Sequence, residues 1–180
     1  MDPLCSGTYL MVSNENAVES YIHMGIPKED AEIMTDPACK NKFEVEVCGN
    51  GIKWQEHYPS LPKYNQTYNL KIGEEVTYTS PVPMTITATK KSGRTFTFEF
   101  SALGKKSTST CTFSSDGLVV KGSNDGGLEY TEVFARQEPE VSDGRVKSVD
   151  TSIKRSFALE KISTKMTHKN ANNKKGLRLA

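Results

Sequence analysis

The sequence predicts a mainly β domain: a ten-stranded antiparallel up-and-down β-barrel of calycin-like form, with a helix-turn-helix lid after the first strand. Three observations predict it. From Phe43 to Phe134, apolar and polar residues alternate with a period of two, in short runs broken by Gly, Pro, Asn and Asp. With one earlier run, about ten strand-like segments follow one another through hairpin-length turns, and such a meander removes its exposed edges by closing on itself. One helical stretch, residues 14–34, stands alone near the start and breaks at Gly25-Ile26-Pro27.

Ser6 to Val12 reads as the first strand. Ser13 or Asn14 then caps a helix in which Ala17, Tyr21 and Met24 share one apolar face. Gly25 suits its C-terminal stop and Pro27 the first turn of a second helix, which Asp36-Pro37 ends. Ala31, Ile33 and Met34 give that second helix a short apolar edge.

Phe43, Val45 and Val47 alternate with Glu44, Glu46 and Cys48, and Asn50-Gly51 signals a tight hairpin. Ile52, Trp54, Glu56 and Tyr58 then share a face. Strands follow over residues 64–72 and 75–80, on either side of Gly73. Met84, Ile86 and Ala88 oppose Thr85, Thr87 and Thr89, and Phe96, Phe98 and Phe100 form the next inward set. Ser109, Cys111 and Phe113 lie on one side of the eighth strand; Leu118 and Val120 belong to the ninth. Tyr130, Glu132 and Phe134 face together on the tenth.

Composition fits a soluble globular chain of 180 residues, 36% apolar and 25% charged. No run approaches a membrane span, and the first residues lack a basic and an apolar signal region. If Met1 is the native start, the expected location is cytoplasmic. Cys5, Cys39, Cys48 and Cys111 show no C-x-x-C pairing and no metal-ligand spacing, which points to four reduced thiols; disulfides would require a secreted product of a longer precursor. Residues 1–137 hold 13 Lys/Arg and 17 Asp/Glu, a balance of −4, whereas residues 138–180 hold 10 and 5, a balance of +5. The expected organisation is therefore a barrel domain over 1–137 and a basic extension over 138–180. In the extension Val146, Val149, Ile153 and Phe157 follow helical spacing, and composition turns disordered after Thr164. Such a segment suits an anionic membrane surface or is a solvated appendage.

Several segments, in order, resemble the intracellular lipid-binding proteins, the family of fatty-acid-binding and cellular retinoid-binding proteins. Cys5-Ser6-Gly7-Thr8-Tyr9 resembles that family's opening F-x-G-x-W, with Tyr9 at the Trp position. Met24-Gly25-Ile26-Pro27 resembles the L-G-[VI]-x between its lid helices, and Leu70-Lys71-Ile72-Gly73-Glu74-Glu75-Val76 resembles F-K-L-G-x-E-F. The resemblance covers about residues 4–137 and implies a cavity for a fatty acid, retinoid or similar small hydrophobic ligand. It implies a portal formed by the lid with the Pro59–Lys63 and Pro81–Pro83 turns.

On this reading the lid contributes Tyr21, Met24 and Ile33 to ligand binding, with Met84 near the portal. The strands contribute Trp54, Glu56, Tyr58, Phe98, Cys111, Phe113, Tyr130, Glu132 and Phe134. In any β domain such residues also serve as plain core. The family's carboxylate anchors, an Arg on the eighth strand and an R-x-Y on the tenth, fall on Cys111 (or Thr112) and on Glu132 and Phe134. All the basic anchors are missing. A carboxylate ligand beside an ionised Glu132 would be repelled in a low-dielectric cavity. Glu132 is then either protonated and a donor to a neutral alcohol or aldehyde, or ionised and a partner for an amine. A register slip would instead turn it to solvent, and Lys121 or Arg136 would be the displaced anchor.

Enzyme signatures are absent. His23, His57 and His168 lie far apart in sequence, and there is no G-x-S-x-G, H-E-x-x-H or Walker loop. The expected function is non-enzymatic transport of a hydrophobic ligand by a monomer, with no cofactor, metal or nucleic acid. The alternatives are a barrel that lost its ligand and serves as an interaction protein, or an enzyme acting on a bound apolar substrate.

Overall fold

Alternation of inward apolar and outward polar residues builds ten strands into one antiparallel sheet, rolled into a nearly closed barrel in the computed structural model, which describes residues 3–79 and 82–138. The strands are β1 (Gly7–Glu15), β2 (Lys42–Cys48), β3 (Gly51–His57), β4 (Gln66–Lys71) and β5 (Glu75–Tyr78). They continue with β6 (Met84–Ser92), β7 (Thr95–Ala102), β8 (Lys105–Phe113), β9 (Gly117–Asn124) and β10 (Glu129–Gln137). Consecutive strands pair at every step but one, β4 to β5. β1 pairs with β10, which joins the two ends of the chain's meander. β4 and β5 form the seam. There the Tyr78 hydroxyl accepts from the Asn69 amide at 2.9 Å and lies 3.2 Å from the Asn69 carbonyl. Its ring meets Tyr68 edge-on at 5.0 Å, so one tyrosine fills the gap that backbone pairing leaves.

Two helices, α1 (Ala17–His23) and α2 (Lys28–Thr35), follow β1. They begin later than the sequence suggests. Ser13 and Asn14 extend β1, and Asn16, at φ 56, is the residue before α1. Neither helix has a side-chain N-cap bond. The Asn side chains dock the lid instead: Asn14 donates to the Thr35 carbonyl at 2.7 Å and Asn16 to the Glu129 carbonyl at 3.1 Å. Pro27 stands just before α2, not within its first turn. The hairpin expected at Asn50-Gly51 also turns one residue earlier. Cys48 pairs with Gly51, leaving Gly49 and Asn50 as the loop, and Gly49 at φ 61 supplies the left-handed conformation at the first turn position.

The lower half of the barrel is solid. Tyr9 and Phe113 meet edge-on at 5.5 Å, and Phe113 meets Phe96 at 6.0 Å. All three are buried, as are Leu118 and Phe134. The N-terminal turn, Pro3–Cys5, shuts this end: Tyr9 Oη donates to the Leu4 carbonyl at 2.9 Å, and Arg136 donates to the carbonyls of Leu4 (2.9 Å) and Ser6 (2.6 Å). Cys5, Cys39, Cys48 and Cys111 are free thiols. Among the described residues no helix is long and apolar enough to cross a membrane. The helix expected over Val146–Phe157 and the rest of the basic extension lie outside the described residues.

Candidate functional site

Above the packed half, beneath the lid, the barrel holds a cavity of about 150 Å³. Its wall is mostly apolar and aromatic. Trp54 meets Phe43 at 5.0 Å and Phe98 at 5.5 Å, and Phe98 stacks on Phe100 at 6.4 Å. Ser107 and Ser109 of β8 and Ser20 of α1 keep part of the wall short. No Lys, Arg or His lines it.

Two carboxyl groups point into this apolar space. Glu132 of β10 is only 3% exposed. Its Oε1 accepts from the Tyr21 hydroxyl at 3.1 Å, which ties α1 to the sheet. Glu56 of β3 is partly accessible, and that surface belongs to the cavity it lines. Its Oε2 accepts from the Tyr58 hydroxyl at 3.3 Å. Two hydroxyl–carboxyl pairs result, Tyr58 with Glu56 and Tyr21 with Glu132, close enough for each charge to act on the other.

The surroundings of both carboxyls favour the protonated form. Burial pushes Glu56 up to about 8, opposed by its Tyr58 and Trp54 hydrogen bonds and reinforced by the charge of Glu132. Burial pushes Glu132 up to about 7, opposed by the Tyr21 hydrogen bond. The pair therefore holds a proton at neutral pH and titrates as one coupled system. Burial and the nearby carboxylates likewise hold Tyr21, Tyr58 and Tyr130 neutral, and burial with the Glu132 charge holds Cys111 as a thiol.

The residues picked from the sequence separate by height. From the lid, Tyr21 and Met24 line the cavity; from the strands, Trp54, Glu56, Phe98, Cys111, Tyr130 and Glu132 do. Phe113 and Phe134 point inward but belong to the solid lower half, with Phe134 packed 4.5 Å beneath Phe43. Ile33 is a half-buried residue packed on the core without reaching the cavity. Tyr58 is buried beside the wall and donates its hydroxyl to Glu56. Glu132 does not face solvent, so the slipped register is ruled out. Neither displaced anchor serves: Lys121 is exposed on the outer face, and Arg136 is committed to the N-terminal turn.

Other wall residues were missed. Met34, Tyr64, Tyr68 and Val120 all line the cavity; Tyr68 and Val120 have inward parity on β4 and β9, Met34 is on α2 and Tyr64 is in the Pro62–Tyr64 turn. Val82 and Met84 mark the β5–β6 side of the expected portal; residues 80 and 81 of that turn lie outside the described residues. Gly122 is a less visible case. A Cβ there would stand 2.3–2.5 Å from the Tyr130 ring, so the absent side chain is what lets Tyr130 lie flat against β9 beside the cavity.

A lidded ten-stranded barrel with an apolar cavity is the architecture of the intracellular lipid-binding proteins, and the chain has that fold. A solved structure of a "REP1-NXSQ fatty acid transporter" superposes with a TM-score of 0.64 at 13% identity, covering 75% of this chain and 97% of that one. A mutant of that transporter, with phenylalanine in place of one tyrosine, matches with a TM-score of 0.62, also at 13% identity, covering 73% and 97%. No protein-family model and no curated protein matches the sequence.

Proposed function

We propose that this chain binds and carries a small hydrophobic molecule, a retinoid-like compound or other lipid, within the barrel and without converting it. One observation carries the reading: a cavity of about 150 Å³ with an apolar wall stays open beneath a fixed two-helix lid. Burying an apolar chain there contributes about 0.8 kcal/mol per CH₂, which reaches useful affinity before ordering losses. The fold shared with a fatty acid transporter supports the class of cargo. The open cavity also weighs against a barrel that has filled its site and kept only an interaction role.

The wall argues about the cargo's head group. A fatty acid entering carboxylate-first would meet Glu56 and Glu132 with no cation to receive it. A fatty acid is therefore a poorer fit than a neutral or donor-bearing lipid. Displacement of a neutral fluorescent probe such as Nile red, with native mass spectrometry of the protein as purified, tests the carrier reading. Probe uptake and a bound small molecule are expected. No uptake at micromolar protein, together with an empty mass spectrum, would sink it.

A further inference from the structure

The cavity holds two carboxyls and, among its lining residues, no cation; its donors are the neutral hydroxyls, indole and thiol of the wall. Its two carboxyls offer four oxygens. Tyr21 occupies Oε1 of Glu132 and Tyr58 faces Oε2 of Glu56, while the Trp54 indole also supports Glu56. Oε2 of Glu132 has no partner among the described residues, although the residue is only 3% exposed. An unfilled carboxylate oxygen in an apolar cavity is a position that calls for a donor. The wall supplies no Lys, Arg or His to fill it.

We propose that the cavity selects ligands bearing a protonated amine on an apolar body, with the Glu56–Glu132 pair as the ammonium's partner. This rests on the carrier reading above and names its ligand class. An ammonium brings three N–H donors and no acceptor, which complements the unfilled oxygens. An alcohol brings one donor, and a carboxylate brings none. Trp54, Tyr68 and Tyr130 line the space with aromatic rings, and the remaining apolar wall takes the body of the ligand. The groups facing the pair are Tyr21 from α1, Tyr58 just after β3, Tyr68 from β4, Cys111 from β8 and Tyr130 on β10, all neutral when protonated and none a competing cation.

A thermodynamic signature follows. The empty pair holds a proton at neutral pH, with values of about 8 and about 7. A bound ammonium stabilises the ionised form, so binding drives that proton off. Affinity therefore rises as pH climbs from about 6 to about 8.5, while an alkylammonium remains protonated like a lysine.

Isothermal titration of the full chain with dodecylamine, dodecanol and dodecanoic acid, in buffers of differing ionisation enthalpy, tests this. The amine is expected to bind about 10- to 100-fold more tightly than either analogue, with proton release seen only for the amine. The double variant Glu56→Gln/Glu132→Gln is expected to keep dodecanol and lose the amine preference. Should that variant not fold, the proton count on the unmodified chain decides alone. Equal or tighter binding of the alcohol or the acid, or amine binding without proton release, overturns the amine assignment and leaves the carrier reading standing. Failure of all three compounds to bind overturns both.

Discussion

Single residues decide what the cavity can hold. Tyr21 holds the deeper carboxyl, since its hydroxyl donates to Glu132 at 3.1 Å. Tyr21→Phe removes the one hydrogen bond that favours the ionised form of Glu132. The variant is expected to lose about 1–2 kcal/mol at pH 8, where Glu132 is charged, and less at pH 5, where it is not. Urea midpoints at the two pH values check this, and an equal loss at both would show that only packing was removed. Gly122 sets the position of another wall residue. Gly122→Ala would drive a methyl into the Tyr130 ring and should lower stability by about 1–3 kcal/mol, again read from the urea midpoint. An unchanged midpoint would mean that the ring moves freely and does not define the wall. Legibility at this scale is partial for a physical reason. Alternation tells which way a side chain points, so Trp54, Phe98 and Glu132 were placed inward correctly. It does not tell how high along the barrel a residue sits. Phe113 and Phe134 are inward too, yet they fill the closed half. The meeting of Glu56 of β3 and Glu132 of β10 beneath Tyr21 of α1 is encoded by no local pattern in the chain.

At the scale of elements, the lid is held by side chains that serve its backbone. Asn41 is fully buried and donates to the carbonyls of Ile33 (2.8 Å) and Met34 (2.9 Å), closing the C-terminal end of α2. Asn14 does the same for Thr35 from the end of β1. On the outer side, Asp30 of α2 takes Lys63 Nζ and Tyr64 Oη, each at 2.7 Å, from the β3–β4 connection. His23 of α1 lies 2.5 Å from Asp125 in the β9–β10 turn. The lid is thus fastened along both rims of the cavity. Asn41→Ala should cost about 1–3 kcal/mol, because the carbonyls of Ile33 and Met34 each lose a donor and Ile33 keeps only the long bond from the Asp36 amide. Hydrogen exchange should quicken in α2 ahead of the strands. Uniform quickening would argue that Asn41 stabilises the barrel at large and has no special hold on the lid. These fastenings explain the displaced helix start. A polar residue before a helix normally reads as its cap, but tertiary contacts drew Asn14 and Asn16 to other carbonyls. The break between the helices was legible because Gly25 and Pro27 act through their own backbones, whatever surrounds them.

For the molecule as a whole, two families of acids pull stability in opposite directions. Asp30, Glu44 and Asp125 are held below the ordinary carboxylate range, chiefly by side-chain hydrogen bonds from Lys63, Lys42 and His23 respectively. Their contribution is present above the unfolded values of 3.8 to 4.5 and fades as pH falls through the folded ones. They lie at the surface, where screening keeps such pairs weak. Glu56 and Glu132 act the other way and from the interior. Each folded value lies above the unfolded 4.5, so the native state binds the proton more tightly. Their contribution is complete below pH 4.5 and is lost as pH rises to about 7 for Glu132 and about 8 for Glu56. The limiting slope is about 1.4 kcal/mol per pH unit for each group, and the loss from pH 5 to pH 8 is on the order of a few kcal/mol. The empty protein should therefore be most stable near pH 5 and weaken towards pH 8, as measured by urea unfolding across that range. Glu56→Gln/Glu132→Gln should flatten the decline, since glutamine occupies the same space with no charge to bury. A wild-type curve that is level or rising from pH 5 to pH 8 would show that the two carboxyls are solvated through the cavity and carry no stored proton. A declining curve that recovers when an alkylamine is added would join the two ends of the argument: the acids that weaken the empty barrel would be those that hold its cargo.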